Sequence, residues 1–280
     1  MKITHREIIS RIKKTDPKSH KGTLGHALII GGSYGKIGSV CLSAKAALRT
    51  GCGLATVFLP ECGYDIIQSV VPEAMAITDV QHKCISDIQF DFLPQAIGIG
   101  LGMGQDAATQ QALYAFLRQS TQPLVIDADA LNILSGHQEW LSLVPKGSVL
   151  TPHPKEFERL IGKSDSVAHS VAQAKTFSAR HQVVLVLKGA PTKIVWQNEV
   201  FENTTGNAAL ATAGSGDVLT GMITSLIAQS YHPLDAALIA VYLHGKTADL
   251  ALPETGMQAF IASDIINYIG KAYLSLSSAQ

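Results

Sequence analysis

Short runs of Val, Ile and Leu recur along the chain and stop at Gly, Pro or Asp: 27–30, 55–59, 96–99, 124–126, 149–150 and 183–187. A strand with one wet face alternates apolar and polar residues, whereas a strand covered on both faces stays apolar, so these runs predict strands inside a layered structure. Between them, 39–50, 106–119 and 166–181 carry apolar residues at helical spacing. Strand alternating with helix implies right-handed crossovers and a mostly parallel sheet covered on both sides. After Lys188 the pattern changes. Residues 183–187 and 192–196 flank Lys188, Gly189, Ala190 and Pro191, which predicts an antiparallel hairpin at the sheet's edge. Helices are expected again at 217–229, 234–252 and 262–275. With no repeat, low-complexity tract or linker, the expectation is one three-layer α/β/α domain over 1–280.

Ligands of such sheets collect beyond the carboxyl ends of the strands. That rule selects the loops at 31–38, 100–105, 127–132, 151–154 and 188–192.

Composition narrows the partners. Lys plus Arg and Asp plus Glu both number 22, so no basic field exists to hold nucleic acid or an anionic membrane surface. The apolar stretches near 218–228 and 236–243 are too short to span a bilayer. Cys41, Cys52, Cys62 and Cys84 show no Cys-x-x-Cys spacing and read as reduced core residues. The basic start has no apolar block behind it, so a cytoplasmic protein is expected.

The segment 203–221 is richest in chemistry: Gly206, Asn207, Gly214, Ser215, Gly216 and Asp217 precede an apolar helical run. Glycines allow close backbone approach, and free amides at a helix start bind anions, so Gly214, Ser215 and Gly216 form a candidate anion hole for a phosphate. Asp217 would stand beside that phosphate as the base for a substrate hydroxyl, held ionised by the helix dipole. The plainer reading makes Ser215 or Asp217 a helix cap and the glycines a turn.

Other residues divide the same way. His153, between two prolines at a strand end, either faces a cleft or fills a turn. Asp127 and Asp129 could support Mg²⁺ or ribose, but an Asp before a helical turn is more often a cap. Lys188 alone reads as a solvated turn lysine. Gly100, Gly102 and Gly104 lack the dinucleotide spacing because position 105 is Gln. Gly245, Lys246 and Thr247 imitate the end of a Walker motif, but Ala240 stands where its glycine is needed. The triplet Asn203, Thr204 and Thr205 spells a glycosylation acceptor that is idle in the cytoplasm. Gly31 to Gly35 spells a nucleophile elbow around Ser33, yet follows only the first strand, which argues against an α/β-hydrolase.

The run Asn203, Thr205, Gly206, Asn207, Leu210, Ala211, Gly214, Ser215, Gly216, Asp217, Val218, Leu219, Gly221 resembles the signature of the NAD(P)H-hydrate dehydratases, a branch of the ribokinase-like superfamily. Further blocks agree in order: Lys21 to His26, Ala44 to Gly53, Pro72 to Met75, Gly98 to Gly104, Asp127 to Asn132, Thr151 to Glu156, and Lys188 with Gly189. The resemblance implies a ribokinase-like fold and a repair reaction. A nucleotide phosphorylates the hydroxyl of hydrated NADH or NADPH, and loss of phosphate restores the nicotinamide double bond.

It further implies ADP as co-substrate, with ATP as the alternative, and AMP as product. Asp217 is then the base, and Lys188, Gly189, Ala190, Pro191, Thr192 and Gly216 hold the nucleotide. Ser39, Gly102, His153 and Asp217 face the hydrated dinucleotide. Charge balance between the two phosphorylated ligands calls for Mg²⁺, whose ligands are not identified from sequence. Relatives often carry a fused epimerase and are often tetramers, so a separate epimerase and a homotetramer are expected. A small-molecule vitamin or sugar kinase of the same superfamily, and a non-catalytic nucleotide sensor, are the competing readings.

Overall fold

The apolar runs become the inner strands of one nine-stranded sheet. The computed structural model describes residues 1–14 and 16–277. The strands are β1 (His26–Gly31), β2 (Leu54–Leu59), β3 (Met75–Thr78), β4 (Ala96–Leu101), β5 (Leu124–Ile126), β6 (Val149–Leu150), β7 (Val184–Leu187), β8 (Lys193–Trp196) and β9 (Glu199–Glu202). Their spatial order is β3-β2-β1-β4-β5-β6-β7-β8-β9. Pairings from β3 through β7 are parallel; β7–β8 and β8–β9 are antiparallel.

The expected hairpin is therefore present but is not the edge. Gln197, in the left-handed region at φ 52°, turns the chain from β8 into β9, which takes the outer position.

The helices are α1 (His5–Arg11), α2 (Ile37–Thr50), α3 (Tyr64–Val70), α4 (Ala107–Gln119), α5 (Ala128–Gly136), α6 (Pro154–Ile161), α7 (Val167–His181), α8 (Ser215–Ala228), α9 (Pro233–Thr255) and α10 (Ala262–Ser277). Alternate residues of each inner strand serve opposite cores. Ala27, Ala55, Ala96, Val125 and Val149 pack with α8, α9 and α10, whereas Leu28, Ile30, Ile97, Ile99 and Leu124 pack with α4, α5 and α7. The first set is smaller, which lets α8 sit close to the sheet. A Cβ on Gly98 would lie 2.6 Å from Thr224 Oγ1, and one on Gly221 would lie 2.1 Å from the Ser43 carbonyl oxygen of α2.

Strands β1 and β4 are neighbours although the chain visits β2 and β3 between them. Such a reversal of strand order opens a crevice at the carboxyl ends. Ser33 spans it by donating to the Gly102 carbonyl at 2.8 Å. Ser33 thus ties two loops together.

The four cysteines are unpaired, but only Cys41 and Cys52 are buried; Cys62 and Cys84 are half-buried, against the expectation of four core residues. Among the described residues no helix is long and apolar enough to cross a membrane.

Candidate active site

Gly214 begins the site by taking φ +83°, where a Cβ would also meet Leu42 Cδ1 at 2.5 Å. Only glycine accepts both conditions cheaply. The chain then enters α8, whose first-turn amides have no intrahelical acceptors. Of the three residues expected to form the anion hole, Ser215 turns inward. Its amide donates to the Thr212 carbonyl at 3.3 Å, and its own carbonyl and hydroxyl lie 3.0 and 3.3 Å from His244 Nε2. Burial pushes His244 down to about 4, so the ring is neutral, and the carbonyl contact requires the proton on Nε2. The first-turn amides of Gly216 and Asp217 remain for an anion.

Asp217 is raised to about 6, first by burial and then by the nearby Asp127 carboxylate; a hydrogen bond from Ser39 and the Lys188 charge oppose this. The helix dipole therefore does not dominate as expected. The group is mostly ionised at pH 7, but with a narrow margin.

Lys188 stands beneath the helix start. Its Nζ lies 2.8 Å from Asp127 Oδ1, 3.8 Å from Glu156 Oε2, and 3.3 Å from where a Gly216 Cβ would be. Burial pulls the ammonium down, but Asp127, Glu156 and Asp217 outweigh it and hold Lys188 above its ordinary value. It stays charged. Asp127 is 1% exposed and accepts three donors: Lys188, the Ala128 amide at 2.8 Å and the Thr220 hydroxyl at 2.8 Å. Thr220 lies one turn beyond Asp217, so Asp127 binds the start of α5, the end of β7 and the body of α8 at once.

The expected substrate residues form the rest of the rim. Gly102 has φ +57°, and a Cβ there would lie 2.9 Å from the Lys36 carbonyl oxygen and 3.1 Å from Ser39 Oγ. Gly102, Ser39 and Asp217 thus share one end. His153 starts α6: its Nδ1 accepts from the Lys155 and Glu156 amides, while its own amide donates to Glu156 at 2.8 Å. It is both a cap and a rim residue. Burial, then Lys188, lowers the His153 ring, whereas burial raises Glu156 despite Lys188 and the His153 amide. The remaining expected nucleotide residues, Gly189, Ala190, Pro191 and Thr192, form the β7–β8 turn, closed by Thr192 Oγ1 donating to the Gly189 carbonyl at 2.9 Å.

Sequence reasoning missed Glu156, Thr220 and His244 and left Asp127 as a cap. Asp127 does cap α5, but its other oxygen and partners place it at the centre. Asp129 instead clamps the neighbouring loop, accepting from the Gly104 amide at 2.9 Å. Gly206 and Asn207, which strengthened the anion reading, are held by Asp249 at 3.0 and 3.1 Å. Gly245 to Thr247 lie inside α9, where a Cβ on Gly245 would meet Thr205 Oγ1 at 2.4 Å, so this glycine serves packing. Asn203 is likewise occupied, donating to the Thr205 and Val241 carbonyls. Among the described residues, no group of three or more His, Cys, Asp or Glu side chains is placed to hold a metal unaided.

The chain as a whole is similar to known proteins. The family model for NAD(P)H-hydrate dehydratase matches residues 27–271. The chain is similar to the ADP-dependent (S)-NAD(P)H-hydrate dehydratase of Bacillus subtilis, 35% identical over 279 residues, covering 96% of this chain and 98% of the relative. It is also similar to the bifunctional NAD(P)H-hydrate repair enzyme Nnr of Moorella thermoacetica, 36% identical over 271 residues. That match covers 93% of this chain but 51% of the relative, so the chain spans about half of the bifunctional protein. The ADP/ATP-dependent dehydratase of Bacillus subtilis, co-crystallised with ATP and Mg²⁺, superposes with a TM-score of 0.83 at 31% identity. That superposition covers 98% of this chain and 97% of the other. With a family match across the sheet and every rim loop, the chain belongs to the NAD(P)H-hydrate dehydratase family.

Proposed function

We propose that this chain removes water from the S-epimer of hydrated NADH and NADPH at the expense of a nucleotide, ADP by preference. The observation that carries the reading is the juxtaposition at the start of α8: a carboxylate raised to about 6, first-turn amides, and a protonated lysine. Asp217 takes the proton of the substrate hydroxyl, and the oxygen attacks the terminal phosphorus of ADP. The O–P bond to AMP breaks as the new one forms, with the amides and Lys188 facing the charge on the transferred group. The phosphate then leaves the ring carbon as the neighbouring carbon loses a proton, which restores the double bond. Hydrate and ADP become NAD(P)H, AMP and phosphate.

Mg²⁺ bound to the phosphates would neutralise charge during transfer. Asp127 and Glu156, the buried carboxylates nearby, are already taken up by Lys188 and by backbone and hydroxyl donors, so the ion would travel on the nucleotide phosphates and water. Ser39 and Gly102 would hold the hydrated ring near Asp217, with His153 farther along the dinucleotide.

Four free thiols suit the reducing cytoplasm. The exposed Met257 and Ile261 beside α10 offer apolar surface for a homotetramer. A separate epimerase would supply the S-epimer. Incubation with hydrated NADH and either ADP or ATP should restore the nicotinamide absorbance, faster with ADP. Accumulation of a stable phosphorylated product instead would replace this reading with that of a small-molecule kinase.

A further inference from the structure

Helix α9 grips the segment that leads into α8 at two points. Asp249 accepts from the Gly206 amide and the Asn207 side chain, and earlier on the same helix His244 meets Ser215. His244 is 8% exposed and Ser215 9%, so the contact is shielded from water. Burial holds the ring neutral against the pull of the Ser215 carbonyl, and the Lys188 charge acts with burial. The helix itself does not need this bond. A carbonyl inside an α-helix accepts from the amide four residues on and keeps one further lone pair, and at Ser215 that spare site takes the His244 Nε2–H at 3.0 Å.

We propose that His244 is a positioning residue for phosphoryl transfer: by holding the Ser215 carbonyl it aims the Gly216 amide at the terminal phosphate of the nucleotide. The inference rests on the proposed function, which puts that phosphate at the start of α8. The Ser215 carbonyl and the Gly216 N–H belong to one peptide unit, which is flat and trans, so they point in opposite directions. A partner that fixes the first therefore fixes the second. Such help matters at Gly216, because glycine has no side chain to restrict its backbone. A Cβ there would stand 3.3 Å from Lys188 Nζ, so a stiffer residue would press on the ammonium. A hydrogen bond accepted at the carbonyl also polarises the peptide and makes its N–H a stronger donor, an effect that grows in a dry site. A neutral ring does this without adding a charge that would compete with Lys188 for the phosphate. Ser215 Oγ, 3.3 Å from the same nitrogen, keeps the serine turned away from the anion.

His244→Met and His244→Gln introduce side chains of nearly the same shape that differ in the amide able to replace the ring's donor. Calorimetry in Mg²⁺ with ADP and with AMP, which lacks the terminal phosphate, separates aiming from packing. His244→Met should weaken ADP about tenfold or more and leave AMP within about twofold, and His244→Gln should restore most of the ADP affinity; kcat for hydrated NADH should follow the ADP losses. Equal ADP affinity in the two variants, or a loss shared by ADP and AMP, overturns the proposal. The wild type supplies a second measurement that does not depend on how the variants fold. Nitrogen NMR of the His244 ring should show Nε2 protonated and its signal moving on addition of ADP but not of AMP; an Nδ1–H ring or an unmoved signal overturns the proposal. Wild-type protein that binds ADP no more tightly than AMP would instead remove the terminal phosphate from α8 and overturn the proposed function on which the inference stands.

Discussion

Asp217 occupies a helix start, where the dipole favours a carboxylate, yet burial and Asp127 raise it to about 6. A base must be ionised to accept a proton, so kcat/KM should fall as pH drops through about 6 and level off above it; a pH–rate profile checks this. Asp217→Asn should cut turnover about 100- to 10,000-fold while nucleotide binding persists. The same change should raise the melting temperature by a few degrees at pH 7.5 and not at pH 4, because a raised acid destabilises the fold only where it is ionised. Lys188→Met would leave Asp127 and Glu156 buried without their cation. Urea unfolding should show a loss of about 3 kcal/mol, and the acid limb of the rate profile should move above pH 6. Asp217 stands out in the sequence because it sits at a recognisable helix start, whereas Lys188 alone reads as a solvated turn lysine and enters the site only through the family resemblance. Glu156 and Thr220 do not stand out, since a linear pattern locates loops without showing which side chains converge between them.

Helix α8 owes its place to residues that take no part in chemistry. The close approach at Gly221 and Ser43 sets α2 against α8, and these helices carry Ser39 and Asp217 respectively. Gly221→Ala should destabilise the fold by about 1–3 kcal/mol and lower kcat as well, measured by denaturant unfolding and steady-state rates on the same preparation. Elements with long apolar runs or helical spacing were legible in the sequence, including the hairpin of β7 and β8. The missed elements are short or half-exposed. β3 sits on the sheet's edge with exposed Met75 and Thr78, and β9 alternates Glu199, Val200, Phe201 and Glu202. Neither presents the continuous apolar run that marked the inner strands. Helix α6 hides behind the prolines flanking His153, which read equally well as a turn.

Across the whole molecule, the sheet separates two cores that bind their helices to different degrees. On one side, α8 buries nearly its full length, from Ser215 through Ala228, with Gly216 and Asp217 alone less than buried. On the other, α7 buries only Ala174, Phe177 and Ser178 of fifteen residues. If Mg²⁺ travels on the nucleotide, a chelator should abolish turnover and leave the melting curve in place, since the described residues form no metal cluster of their own. The unequal burial also sets a hierarchy of local opening. Amide hydrogens of α7 should exchange with deuterium well before those of α8, which should open only with global unfolding. The body of α8 that carries the base then belongs to the slowest-exchanging part of the protein, its free first-turn amides apart, while α7 on the far face of the sheet breathes without loosening it.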